Sequence, residues 1–123
     1  KYRISSHYGY RNHPLTGTKK FHSGVDIAVE LATPVYAAGS GNVIYAGRKG
    51  GYGRCIIIQH QFGFTSIYGH LSAYYTTAGK EIKQGQAIGF VGSTGQSTGN
   101  HLHFEIRKNK RAINPIWYDG YER

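Results

Sequence analysis

Seven histidines and six carboxylates are the residues of this chain best suited to bind a metal or move a proton. Two of the histidines, His101 and His103, lie in residues 100–107, where polar and apolar residues alternate. Such alternation predicts a half-buried β-strand. The apolar side chains should face the core: Leu102, Phe104 and Ile106. His101, His103 and Glu105 should then share the other face, toward a groove or solvent. Near neutral pH, imidazole can both bind a transition metal and carry a proton.

A second candidate pair is His22 and Asp26, four positions apart. On a straight strand their Cα atoms would be roughly 13 Å apart, too far to share an ion whose bonds are ~2 Å. A helix would bring them to ~6 Å, but Gly24 and the β-branched Val25 disfavour a helix. We therefore expect the chain to bend near Gly24, so that His22 and Asp26 converge.

Two histidines and one aspartate would leave one corner of a tetrahedral zinc site open, as catalytic sites require. Such an ion lowers the pKa of water toward ~7 and polarises carbonyl groups. A nearby histidine that does not bind the ion could take the proton. Spacing alone does not decide which of His101 and His103 is the ligand. The chain has no His-Glu-x-x-His pattern, which excludes a helical zincin.

The remaining sequence predicts short strands joined by glycine-rich turns, and it contains no long amphipathic helix. The predicted strands are 33–38, 42–46, 54–59, 64–68 and 87–91. The apolar run at 54–59 is typical of a central strand. Residues 1–21 read as polar and irregular with a turn at 14–17, and 71–77 as one helical turn. The fold class is therefore all-β: an antiparallel twisted sheet whose additional short strands and loops form an open groove, with little helix.

Composition limits the class of protein. The 123 residues suit a single domain, 1–123, and the formal charge of +9 favours anionic partners such as nucleic acid, anionic lipid or an acidic cell-wall polymer. The lone Cys55 forms no disulfide within the chain and reads as a small apolar strand residue. No apolar run reaches the ~18 residues of a membrane span. Because the chain begins at Lys1, without an initiator Met or a signal peptide, we expect a longer or processed precursor.

Three motifs in this order resemble the lysostaphin/LytM-type zinc peptidases, which cut bacterial peptidoglycan. They are His22-x-x-x-Asp26, the Tyr-Gly-His-Leu segment at 68–71, and His101-x-His103; the spacers 33–38 and 92–95 are similar too. The resemblance implies one Zn²⁺ per chain, with His22, Asp26 and His103 as its ligands. It implies that His101 is the general base, or the group that orients the water. His70 would lie across the site and stabilise the oxyanion or shuttle a proton.

The activity implied by this resemblance is hydrolysis of amide bonds in peptidoglycan crosslinks or stem peptides, in the periplasm or cell envelope of a bacterium. The segment 9–14 resembles family members that act on D-Ala–diaminopimelate crosslinks, which favours a DD-endopeptidase. The alternatives are a glycyl-glycine endopeptidase of the same family and a non-catalytic LytM-type regulator of another hydrolase. A pro-segment or regulatory domain could accompany the domain. The basic residues are scattered and match no recognition motif, so nucleic acid is not an expected partner.

The other polar features have simpler interpretations. His7, His13 and His60 are predicted to be structural, with His60 capping backbone at a strand end. Glu105 could accept a hydrogen bond from an imidazole N–H, or it could form a surface ion pair with a Lys or Arg. The loop at 92–99 lacks the Gly-Lys-Ser/Thr ending of a phosphate-binding loop, and we expect it to form a wall of the groove.

Overall fold

A computed structural model describes residues 3–12, 19–95 and 99–115. Within these residues the chain forms twelve strands and two single-turn 3₁₀ helices, which confirms the all-β class. The strands are β1 (Arg3–Ser6), β2 (Gly9–Asn12), β3 (Lys19–His22), β4 (Val25–Ala28), β5 (Pro34–Tyr36), β6 (Gly41–Arg48), β7 (Arg54–Gln59), β8 (Phe64–Tyr74), β9 (Glu81–Ile82), β10 (Ala87–Val91), β11 (His101–Lys108) and β12 (Arg111–Ile113). The 3₁₀ turns are Gly50–Tyr52 and Gln61–Gly63.

The main sheet is antiparallel and runs in the order β1-β4-β11-β8-β7-β6-β9. β12 pairs with β11, β10 pairs with both β5 and β8, and β2 and β3 form a separate two-stranded hairpin. The predicted central strand, β7, does lie between two neighbours, β6 and β8. The histidine strand β11 is also central, since it lies between β4 and β8. A central strand has little freedom to move, so it suits side chains that must be held in fixed geometry.

The core is built from β-branched and aromatic residues of these central strands. Val25, Ile56, Tyr68, Phe104 and Ile106 are at most 5% exposed and belong to one apolar cluster. Burial of each aliphatic side chain contributes about 1.5–3 kcal/mol. This layer supports the opposite face of β11, where the polar residues lie.

Cys55 is fully buried in β7, as predicted for a small apolar strand residue. Burial raises the pKa of its thiol to about 11. A thiol with so high a pKa is a poor nucleophile near neutral pH.

Two sequence predictions of secondary structure are wrong. Residues 71–77 contain no helical turn, because β8 continues to Tyr74 and pairs with β10 through Ala73. Residues 3–12 and 19–21 are largely strand rather than irregular, because β1 pairs with β4 and β2 pairs with β3. In both places the strand is defined by a partner elsewhere in the chain rather than by its own alternation of side chains. The predicted turn at 14–17 lies outside the described residues.

The predicted strand boundaries need smaller corrections. The predicted strand 33–38 is shorter in the structure, where it is β5. The strand 42–46 extends at both ends to form β6, and 64–68 extends at its C-terminal end to form β8. In the described part of the chain, no helix has the length and apolar character needed to cross a membrane.

Candidate metal centre and active site

His22, Asp26 and His103 converge on one point at the polar face of the sheet. Asp26 on β4 is directly opposite His103 on β11 in the strand register. One Asp26 oxygen, Oδ1, lies 2.9 Å from His103 Nδ1, and the other, Oδ2, lies 3.3 Å from His22 Nε2. The two ligand motifs predicted from sequence therefore meet, although they are 77 residues apart between Asp26 and His103.

The convergence of His22 and Asp26 depends on the predicted bend at Gly24. β3 ends at His22 and β4 begins at Val25, so Gly24 lies in the turn between them. A Cβ atom at Gly24 would lie 2.4 Å from the Phe104 carbonyl oxygen and 3.1 Å from the His103 ring. Glycine is therefore required here for close packing against β11 rather than for its backbone freedom.

The three side chains fit a bound transition metal. One ligand atom from each residue can be chosen so that all three lie within 4.8 Å of one another. For a tetrahedral ion with bonds of ~2 Å, ligand atoms lie roughly 3.3 Å apart, close to the 2.9 and 3.3 Å separations from Asp26. Two imidazole nitrogens and one carboxylate oxygen are donors that zinc accepts readily.

The pKa values of Asp26 and His103 depend on each other, because the two side chains share a hydrogen bond. Burial alone would raise the pKa of Asp26, but hydrogen bonds with His103 and His22 outweigh it and hold that pKa well below its usual range. Burial alone would lower the pKa of His103, but hydrogen bonds to Asp26 and Glu105 raise it to about 9. The carboxylate of Asp26 is thus ionised and available as an anionic ligand.

Glu105 is fully buried beside His103, and both contacts considered from the sequence are present. Its Oε1 atom lies 3.0 Å from His103 Nε2, and its Oε2 atom accepts a hydrogen bond from Arg107 Nε. Ser23 and Tyr52 each donate a hydroxyl hydrogen bond to Oε1, both at 2.9 Å. The expectation of a surface location is wrong, because these four donors allow the carboxylate to remain ionised in the interior.

His70 and His101 face each other beside the three candidate ligands, with ring centroids 4.7 Å apart. β8 carries an extra residue relative to β7 near Gly69 and His70, and His70 has a φ of +62°. A bulge of this kind redirects a side chain, and left-handed backbone at a non-glycine residue is common at functional sites. His101 Nε2 lies 3.7 Å from Asp26 Oδ1.

The ring nitrogens of these two histidines have distinct roles. A backbone carbonyl can only accept a hydrogen bond, so Nδ1 of His70 donates to Thr94 at 2.7 Å and Nδ1 of His101 donates to Gly99 at 3.0 Å. In a neutral ring this leaves the lone pair on Nε2. Burial lowers the pKa of His70, with partial opposition from the Thr94 carbonyl, so His70 is neutral near pH 7.

Thr94 is a residue of the site that the sequence reasoning missed. Its hydroxyl donates to the Leu71 carbonyl and accepts from the Arg54 backbone N–H, while its own carbonyl accepts from His70. The described part of this loop, 92–95, therefore fixes His70, while its role as a wall of the groove stays a prediction. The position of Thr94 in a polar glycine-rich loop suggested a wall, but only the fold reveals its contact with His70.

The remaining histidines have other contacts. The backbone carbonyl of His7 accepts from His22 Nδ1 at 2.8 Å, which leaves His22 Nε2 facing Asp26. His60 bonds the Ser40 carbonyl through Nδ1 and the Ser66 hydroxyl through Nε2, consistent with the predicted backbone contact. His13 lies outside the described residues.

The protein family, the relatives and the solved structures that this chain resembles agree with one another. The family described as "Peptidase family M23" matches residues 20–115. The chain is 48% identical over 114 residues to the DD-carboxypeptidase/endopeptidase Mpg of Neisseria meningitidis, covering 93% of this chain and 26% of that protein. The chain therefore spans about a quarter of the length of the curated relatives it matches.

Two solved structures are similar over nearly the whole chain. The catalytic domain of the antimicrobial peptidase lysostaphin from Staphylococcus simulans superposes with a TM-score of 0.85 at 36% identity, covering 95% of this chain and 91% of that one. A zinc-containing peptidase from Vibrio cholerae superposes with a TM-score of 0.86 at 35% identity, covering 94% of this chain and 36% of that one.

Proposed function

The chain belongs to peptidase family M23, and from that premise we propose that it is the catalytic domain of a zinc endopeptidase that cleaves peptide bonds in peptidoglycan. The observation that carries this proposal is the convergence of His22, Asp26 and His103 beside His70 and His101. Three potential ligands together with two further imidazoles match what amide hydrolysis needs, namely a Lewis acid and groups that move protons.

His22 would hold the ion through Nε2, Asp26 through its carboxylate, and His103 through Nδ1, because these are the atoms that face one another. When bound, zinc would polarise the scissile carbonyl and lower the pKa of the attacking water. The ionised Asp26 would offset part of the ion's charge, and the Nδ1 proton of His103 would be displaced on binding.

His101 acts as the general base in this proposal. Its Nδ1–H is held by the Gly99 carbonyl, so Nε2 is directed toward Asp26 and can accept the proton of the attacking water. Neutral His70 likewise offers only a lone pair at Nε2. Of the two roles considered for His70, this arrangement supports proton shuttling toward the leaving amine over stabilisation of the oxyanion.

We infer that the substrate bond is the D-Ala–diaminopimelate crosslink. Support comes from the 48% identity to a relative named as a DD-carboxypeptidase/endopeptidase, against 36% to the lysostaphin domain. The charge of +9 suits the anionic sacculus of the periplasm or cell envelope. Because the chain matches only about a quarter of its relatives, a pro-segment or regulatory domain is a further part of the proposal.

Digestion of purified sacculi, followed by mass analysis of the released muropeptides, tests this function. A DD-endopeptidase converts crosslinked dimers of diaminopimelate-type sacculi into monomers that carry an intact acceptor peptide. Release only from pentaglycine-bridged sacculi would indicate the glycyl-glycine alternative. If zinc-loaded protein releases nothing from either type, the non-catalytic regulator is the better description.

A further inference from the structure

We propose that Glu105 is a positioning residue of the metal centre. Its buried carboxylate fixes the tautomer and orientation of the His103 ring, and through Ser23 it holds the turn that carries His22 and Asp26. This inference rests on the proposed function, since it concerns the ion that the function requires. It develops one of the two contacts considered for Glu105 from the sequence into a role that the three ligand motifs do not assign.

Glu105 contacts His103, which lies two residues away on the same face of β11. Glu105 Oε1 lies 3.0 Å from His103 Nε2, and an ionised carboxylate can only accept a hydrogen bond. Nε2 must therefore carry a hydrogen. In the neutral ring the lone pair is then on Nδ1, the nitrogen that lies 2.9 Å from Asp26. A carboxylate behind a metal-binding imidazole fixes its tautomer in this way and makes it a stronger ligand.

This contact matters because His103 differs from the other site histidines. Nδ1 donates to a backbone carbonyl in His22, His70 and His101, which leaves Nε2 to face the site. His103 is turned the other way, with Nδ1 toward the site and Nε2 toward the interior. An acceptor is needed behind Nε2, and Glu105 supplies it.

The carboxylate is itself held rigidly. Glu105 is fully buried, and a buried charge is tolerated only when it is paired and hydrogen-bonded. Arg107 pairs with Oε2, and the Tyr52 hydroxyl donates to Oε1 at 2.9 Å. The Tyr52 ring also lies 5.6 Å from the His103 ring, centroid to centroid, and so restricts its rotation.

Ser23 connects the same carboxylate to the other two candidate ligands. Its hydroxyl donates to Glu105 Oε1 at 2.9 Å, and Ser23 lies in the turn between His22 and Asp26. Glu105 is thus bonded both to the ligand on β11 and to the turn that carries the ligands on β3 and β4. One carboxylate links all three ligand positions without itself binding the ion.

A purely structural role would be to neutralise Arg107, and the two carboxylate oxygens allow the roles to be separated. Glu105→Gln weakens the acceptor behind His103, whereas Arg107→Gln removes the partner of Oε2 and does not alter the residues that bond Oε1, His103 among them. We expect Glu105→Gln to weaken zinc binding by about 10–100-fold in chelator competition with the 123-residue chain. Arg107→Gln should lower the urea midpoint of unfolding but leave the zinc Kd within error.

The outcomes separate this inference from the proposed function. If the wild-type chain binds no zinc, the proposed function fails. If the wild-type chain binds zinc and folded Glu105→Gln binds it equally well, only the Glu105 inference is overturned. Equal losses in Glu105→Gln and Arg107→Gln would also overturn it, because the effect would then follow the ion pair.

A second measurement decides the case if Glu105→Gln does not fold. Long-range ¹H–¹⁵N NMR of the zinc-loaded wild-type chain reports which nitrogen of each histidine carries a hydrogen. The inference expects His103 with a hydrogen on Nε2 and metal-shifted Nδ1, while the zinc-bound nitrogen of His22 is Nε2. A His103 ring that carries its hydrogen on Nδ1 would overturn the role of Glu105.

Discussion

His103 and His101 lie two residues apart on one face of β11, yet the chain holds them in opposite ways. His103 has a carboxylate at each nitrogen, Asp26 at Nδ1 and Glu105 at Nε2. His101 donates from Nδ1 to the Gly99 carbonyl and directs Nε2 toward Asp26 at 3.7 Å. Burial differs little, since the His103 side chain is 9% exposed and that of His101 is 16% exposed.

The comparison shows that the hydrogen-bond partner, more than position or burial, distinguishes a candidate ligand from a candidate base. A carboxylate behind the ring increases its basicity and suits it to bind a cation. A neutral carbonyl behind the ring fixes the tautomer with less effect on basicity, which suits a group that must take up and release a proton. Substitutions at these two positions should therefore have different consequences.

The largest effect is expected for His103→Ala. Removal of one of three protein ligands should leave the zinc content near zero and activity on sacculi below detection. Asp26→Ala should behave in the same way, because both variants remove a donor atom from one centre. Elemental analysis after dialysis, together with muropeptide release, measures both. Full zinc occupancy in His103→Ala would contradict the assignment of ligands.

His101→Ala should keep most of the zinc but lower the rate of muropeptide release by about 10²–10⁴-fold, the usual contribution of a general base. The same elemental analysis provides the control, and the metal content should match that of the wild-type chain. If His101→Ala instead empties the site, the roles of His101 and His103 are exchanged.

The sequence predicted the all-β fold and the convergence of His22, Asp26 and His103, but its spacing could not distinguish His101 from His103 as a ligand. Alternation placed both rings on one face, while the distinguishing partners, Glu105 and Gly99, become clear only when the strand register and the loop are known. The bend at Gly24 followed from local chemistry, because spacing excluded a strand and residue type disfavoured a helix.

Features that depend on distant contacts were missed. Thr94 holds His70 from 24 residues away, and no local pattern indicates that contact. A surface ion pair was one of the two readings of Glu105, but Glu105 is fully buried and accepts from His103 and Arg107 of its own strand and from the more distant Ser23 and Tyr52. β1 was read as irregular for the same reason, since its pairing partner β4 is not the next strand in the chain.

Gly24→Ala should disturb the packing of the turn against His103 and leave the hydrogen bond of His101 to Gly99 intact. The added Cβ would lie 2.4 Å from the Phe104 carbonyl, so the turn or β11 must shift, at a cost of about 1–3 kcal/mol in unfolding free energy. Gly99→Ala is the matched control, because a Cβ there meets nothing within 4 Å. Urea unfolding and zinc competition of both variants measure the difference. Equal stability of the two variants would show that Gly24 is not needed for close packing.

The pH dependence of stability tests whether the fold keeps His70 neutral. Burial lowers its pKa below the ordinary value of 6.5, so the unfolded chain takes up the proton first as the pH falls. The contribution of His70 to stability is therefore full above pH 6.5 and declines as the pH drops below it. His70→Gln should lose unfolding free energy less steeply than the wild-type chain between about pH 7 and about pH 5. Parallel curves from urea titrations would show that His70 is not held neutral by the fold.

The smallest effect on activity is expected at His60, which also donates from Nδ1 to a backbone carbonyl but faces a serine instead of the candidate metal centre. His60 Nε2 lies 2.7 Å from the Ser66 hydroxyl, the spacing of a nucleophile and its base. Ser66 is fully buried and also bonds the Tyr68 hydroxyl at 2.8 Å, so no substrate can reach it. His60→Ala should lower unfolding free energy by about 0.5–1.5 kcal/mol per hydrogen bond lost, with the rate of muropeptide release unchanged. If His60→Ala lowered the rate as much as His101→Ala does, an imidazole bonded to a backbone carbonyl would affect the rate without lying at the candidate metal centre. The contrast between His101 and His103 would then not explain which histidine acts as the base.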